Sequence, residues 1–192
     1  MALPAKKLTV TVDEYLKSEK LSPVRREFVD GQLFSMAGAS ESHNIIAGNL
    51  FALLRSHLQG TGCRAFISDV KVRVDASNTF YYPDVMISCE PFDARSVFKK
   101  APILIAEVLS PSTVTIDRRE KLVAYKQMKS LKEYIVISQE SQLVEVYFRD
   151  SADAWELREY QPPDEIVVTS MPAKVVRLAF GEIYEGVVFA PL

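Results

Sequence analysis

The chain has 192 residues, enough for one domain with a real core, and its 48% hydrophobic and 25% charged residues are ordinary globular usage. No apolar run approaches bilayer length and Met1–Lys7 lacks the apolar stretch of a signal peptide, so the expectation is a cytoplasmic protein with no membrane partner. A net charge of -2 excludes a protein held on nucleic acid by bulk charge alone. The charge is uneven, however. After Ser138 ten acids face four bases, while residues 117–133 hold six bases against three acids, either a positive face or an ordinary solvated helix.

Thr11-Val12-Asp13-Glu14 has capping-box spacing and starts a short helix. Arg26–Val29 and Gln32–Met36, joined by Asp30-Gly31, form a hairpin whose turn needs positive φ. Ile45, Ile46, Leu50, Leu53, Leu54 and Leu58 recur at helical spacing over Glu41–Leu58, and Gly60 closes that helix. Strands are expected over Arg64–Ile67, Val70–Val74 and Val85–Ser88. Ile103–Leu109 is almost wholly apolar and reads as a central strand covered on both faces. Ser110-Pro111-Ser112 is a strand-to-helix loop, Asp117–Met128 a helix, and Tyr134–Ile137 a strand. Leu143–Phe148 and Trp155–Tyr160 form a meander, Pro162-Pro163 breaks the chain, and β runs over Val175–Leu178 and Ile183–Phe189 finish it. Cys63 and Cys89 have no metal-ligand spacing and read as two inert thiols. The pattern predicts a single α+β domain with a central mixed β-sheet flanked by helices, a core over about residues 24–150 and a C-terminal β extension over 151–192.

Glu107 interrupts the apolar strand, where a lone carboxylate is costly unless paired or metal-bound. By alternation it shares a face with Ile105 and Leu109. Asp84 follows Pro83 at a strand start, as a turn residue or as a second ligand. Two such acids about 4 Å apart repel by roughly 4 kcal/mol at an effective dielectric of ~20, and Mg²⁺ (or Mn²⁺) is the hard cation that suits them. Lys121 lies on the helix after the Glu107 strand, either solvated or aimed at water and phosphate. Asp117, Lys121 and Tyr125 are spaced i, i+4, i+8. Asp117 also fits an N-cap, and Tyr125 a core aromatic. Glu27 is either a solvent-facing strand acid or a third acid at the metal. His43 is either a surface or capping residue or part of the site.

Arg26-Glu27-Phe28-Val29-Asp30-Gly31, His43, Pro83-Asp84-Val85, Glu107–Thr113, Asp117, Lys121-Leu122, Tyr125 and Glu133-Tyr134, in this order, resemble the Uma family of restriction endonucleases within the PD-(D/E)XK nuclease superfamily. The resemblance runs from about Thr11 to Phe148. It implies a restriction-endonuclease-like core, Mg²⁺ dependence and phosphodiester hydrolysis, with Asp84 and Glu107 matching the motif acids. A plain Glu-x-Lys tripeptide would put lysine at position 109, which holds Leu109; the family carries that lysine on the following helix, and Lys121 fits.

The expectation is therefore a Mg²⁺-dependent endonuclease acting on DNA. Asp84 and Glu107 bind the metal, Lys121 and Glu27 complete the catalytic set, and His43, Asp117 and Tyr125 support it. Lys71, Arg73, Arg118 and Arg119 are candidate phosphate contacts, chosen for charge and neighbourhood. A homodimer with two sites is expected by analogy with double-strand cleavage. The competing readings are a catalytically silent binding or regulatory module of the same fold, which the acidic C-terminal third favours, and a hydrolase of small phosphate esters.

Overall fold

A computed structural model describes residues 9–36, 38–110 and 116–189; for 116–118 it describes the backbone alone. The proposed Ser110-Pro111-Ser112 loop falls largely outside the described residues.

The chain opens with α1 (Val12–Glu19), whose N-cap Thr11 and Glu14 form the expected capping box. The hairpin β1 (Arg26–Val29) and β2 (Gln32–Ser35) follows. Asp30 and Gly31 at its turn both have positive φ, 43° and 86°, as a tight two-residue turn requires. Next come α2 (Glu41–Ser56), β3 (Arg64–Ile67), β4 (Lys71–Val74), β5 (Thr79–Tyr81), β6 (Val85–Ser88), β7 (Phe98–Lys99) and β8 (Pro102–Leu109). A π-helical turn, Ile116–Lys121, runs into α3 (Leu122–Lys126). The chain then forms β9 (Glu133–Ser138), β10 (Val144–Arg149), β11 (Trp155–Tyr160), β12 (Glu165–Val168), β13 (Val176–Ala179) and α4 (Phe180–Ile183).

Six strands form one sheet in the order β11-β10-β9-β8-β6-β3. Only the β8–β9 pairing in it is parallel, so the sheet is mixed. β8 is central and buried along nearly its whole length. Side-chain alternation gives the sheet two apolar faces. Leu104, Ala106 and Val108 pack with Ile46, Leu50 and Leu54 of α2, and with Ile166, Val168, Val176 and Leu178 of the β12–β13 hairpin. Ile105 and Leu109 pack with Ala124 and Tyr125 of α3 and with Val72, Val74 and Tyr81 of a second, five-stranded sheet ordered β2-β1-β5-β4-β7. Glu107 is on this second face, as its parity with Ile105 and Leu109 predicts. Tyr15 of α1 stacks on Phe28 at 5.2 Å and docks that helix on the smaller sheet.

Three expectations are corrected. Cys63 and Cys89 are joined in a disulfide. They flank the paired residues Arg64 and Ser88 of β3 and β6, so strand register, which spacing along the chain does not encode, brings them face to face. The segment Ile183–Phe189 is not a strand: it ends α4 and continues as turn and loop, with Tyr184 giving its hydroxyl to the carbonyls of Ser138 and Ser141. The helix expected from Asp117 begins at Ile116 as a π turn, so Asp117 lies within it rather than capping it.

Candidate active site

The site forms where β6, β8, β1 and the π-helical turn meet. Val85 pairs with Ala106, and continuing that register sets Asp84 opposite Glu107. Two main-chain contacts lock this arrangement. The Val108 N–H donates to Asp84 Oδ2 at 2.8 Å, and the Asp84 N–H reaches Glu107 Oε2 at 3.4 Å. Each acid is thus held by the other's strand.

Lys121 ends the π turn, almost buried. Its Nζ donates to Glu107 Oε1 at 3.1 Å and lies 3.3 Å from Glu27 Oε1. The Tyr125 hydroxyl donates to the same Glu107 oxygen at 3.0 Å. Burial, with Glu107 adding to it, pushes the Tyr125 phenol well above its ordinary range, so it remains a donor. His43, in the first turn of α2, sets Nε2 3.1 Å from Asp84 Oδ2. Tyr82, just before Pro83, directs its N–H at Glu27 Oε1 at 3.4 Å. Tyr81 lies under the Lys121 ammonium, 5.6 Å from it to the ring centroid, with its phenol pushed up to about 12, mainly by burial.

The structure therefore brings together Glu27, His43, Asp84, Glu107, Lys121 and Tyr125. The side chains of Asp117 and Arg118 lie outside the described residues. Arg119 is exposed on the π turn. Lys71 and Arg73 are engaged elsewhere. Lys71 is buried and donates to the Tyr82 hydroxyl at 3.2 Å, whereas Arg73 is held by Asp75 and Asn78 and stacks over Phe80. Their alternation with Val70, Val72 and Val74 suggested a polar face, but that face is covered by neighbouring elements. Sequence reasoning gave Tyr81 and Tyr82 no role, although their place beside Pro83-Asp84 was a signal.

The donor set fits a divalent cation. The three carboxylates of Glu27, Asp84 and Glu107 outnumber the Lys121 ammonium beside them, an excess of negative charge that a dication suits. Oδ1 of Asp84 has no hydrogen-bond partner among the described residues. No cluster of three or more His, Cys, Asp or Glu ligands occurs among the described residues. Mg²⁺ requires none, since it keeps several waters and takes one or two carboxylates together with substrate phosphate.

An acid just before β6 facing an acid on β8, with a helix-borne lysine beside them on a mixed sheet, defines a restriction-endonuclease-like protein. The model of the Uma2 family, described as "Putative restriction endonuclease", matches residues 12–179, and the chain belongs to that family. It is 33% identical over 178 residues to uncharacterized protein slr1290 of Synechocystis sp., covering 92% of each chain. It is 34% identical over 153 residues to uncharacterized protein sll1609 of the same organism, covering 78% of this chain and 86% of that one. The crystal structure of "a putative nuclease belonging to DUF820" from Anabaena variabilis superposes with a TM-score of 0.74 at 20% identity, over 93% of this chain and 99% of that one.

Proposed function

We propose that the protein is a Mg²⁺-dependent endonuclease that hydrolyses DNA phosphodiester bonds. The observation that carries this reading is the apposition of Asp84, just before β6, and Glu107 on β8, each reached by a main-chain N–H from the other's segment, with the Lys121 ammonium on the Glu107 carboxylate. Asp84 and Glu107 are the residues that would hold the ion; Mn²⁺ would suit the same oxygens. When bound, the ion would supply a Lewis acid and lower the pKa of a coordinated water. The protein's own residues do the remaining work. Val108 N–H and His43 fix Asp84 by one oxygen, and Tyr125 and Lys121 fix Glu107 by one oxygen, so both carboxylates enter the reaction already oriented. Lys121 provides the positive charge that opposes charge growing on the phosphate and donates N–H to the attacking water. Glu27 is a second carboxylate on the same ammonium, 3.3 Å from it. Acting on both strands of a duplex would call for a homodimer, with one site per strand.

The test is thermal unfolding with and without Mg²⁺ or Mn²⁺. The wild type is expected to melt several degrees higher with about 100 Kd of metal, equivalent to ~2.7 kcal/mol. Asp84→Asn is expected to remove that shift. An equal shift in Asp84→Asn would overturn the metal site. A shift lost in Asp84→Asn, in a wild type that cuts no DNA, would mark a silent module of the same fold.

A further inference from the structure

The β1–β5 ladder pairs Val29 with Thr79 and Phe28 with Phe80, and goes no further. Beyond it the two segments part, and each then carries a site acid: Glu27 on one side, and Asp84 beyond Tyr82-Pro83 on the other. The carboxylate of Glu19, the last residue of α1, sits where the ladder ends. Its Oε1 accepts the Arg26 N–H at 2.8 Å and the Tyr82 hydroxyl at 3.0 Å, and its Oε2 accepts Arg26 Nε at 3.0 Å. Arg26 also donates to Ser18 Oγ, and the Tyr82 hydroxyl accepts from Lys71. The Glu19 side chain is only 5% exposed. Burying a carboxylate is costly, and three donors offset that cost. Docking α1 does not require it, because Tyr15 already fills the apolar seat and gives its hydroxyl to the Arg26 carbonyl.

We propose that Glu19 is a positioning residue of this site, a strut that replaces main-chain pairing between the strand bearing Glu27 and the segment bearing Asp84. Through Arg26 it fixes the residue before Glu27. Through Tyr82 it fixes the N–H that meets the Glu27 carboxylate, and hence one of the carboxylates on Lys121. The catalytic consequence rests on the nuclease reading; the geometric one does not.

Glu19→Gln removes the charge and Tyr82→Phe removes the hydroxyl while keeping the ring. The first readout needs no activity: acylation of Lys121 by an amine-reactive ester, followed by mass spectrometry, with exposed Lys100 as reference. In both folded variants the Lys121 rate is expected to rise roughly 10-fold relative to Lys100, because Glu27 no longer holds the ammonium. The double variant should match the single ones within about two-fold, since both changes break one strut. The second readout is plasmid nicking, expected to fall roughly 10-fold in kcat with KM unchanged. Unchanged Lys121 acylation in the folded variants would overturn the proposal; Tyr82→Phe alone decides should Glu19→Gln not fold. If the wild type cuts nothing, acylation still decides the strut, and only the nuclease reading falls.

Discussion

Glu107 is tolerated in the middle of a covered strand because hydrogen-bond donors meet it there. Lys121 and Tyr125 both take Oε1, and the Asp84 N–H approaches Oε2. A buried carboxylate that loses one donor keeps its desolvation cost. Tyr125→Phe is therefore expected to lower stability by about 2 kcal/mol. In urea this appears as a lower midpoint with an unchanged slope, and the metal-induced melting shift stays intact because Asp84 and Glu107 remain. An unchanged midpoint would show that the hydroxyl does not hold the acid. The acid itself was legible in the sequence, since a charge in an apolar run has few benign explanations. Lys121 was legible as a candidate from its place on the helix after the Glu107 strand, with a solvated lysine as the alternative, and the resemblance sharpened it. Helical periodicity places it beside Tyr125 but does not say that the helix turns this face to the sheet. His43 and Glu27 were ambiguous for the same reason: their partners lie 41 and 94 residues away along the chain.

At the scale of elements, some local signals form as read, although the Asp117 cap does not, and what the sequence hid was the shortest strands and the contacts set by distant pairing. The Thr11 capping box and the Asp30-Gly31 turn depend on neighbours within a few residues, and both form as read. The short strands β5 and β7 escaped notice because two or three residues carry no periodicity, and they exist only as partners of β1 and β4. The Glu133 side chain, buried at the start of β9, gathers the N–H and hydroxyl groups of both Thr169 and Ser170, tying the C-terminal hairpin to the parallel pair. The disulfide is likewise a fact of register. It spans 26 residues of sequence and clamps edge strand β3 to β6, the strand that begins beside Asp84. Loop-closure entropy assigns such a link about 3 kcal/mol. Treatment with a thiol reductant is expected to lower the melting temperature by that equivalent and to expose two titratable thiols. Two thiols in the untreated protein would show that the bond does not form.

Across the whole molecule, aromatic burial sets the response to alkali. Tyr15, Tyr81, Tyr82, Tyr125 and Tyr184 all have phenols raised above the ordinary value of 10.0, with burial the largest cause in each. Above pH 10 the unfolded chain loses these protons while the native one keeps them, so stability falls as pH rises from there. Lys71, lowered by burial, works in the opposite sense but is a single group. Melting temperatures measured from pH 8 to 11 should hold steady to about 10 and then drop; a rise above 10 would contradict the burial assigned to these rings. The same enclosed face carries Glu107, Lys121, Tyr81 and Tyr125, so the chemistry proposed for it stands or falls with one assay. Supercoiled plasmid incubated with the protein and Mg²⁺ is expected to be nicked by the wild type, and to survive with Lys121→Ala, with Glu107→Gln, or with chelator. Nicking that persists in both variants, or that is indifferent to chelator, would contradict the assignment of Asp84, Glu107 and Lys121 as the working centre.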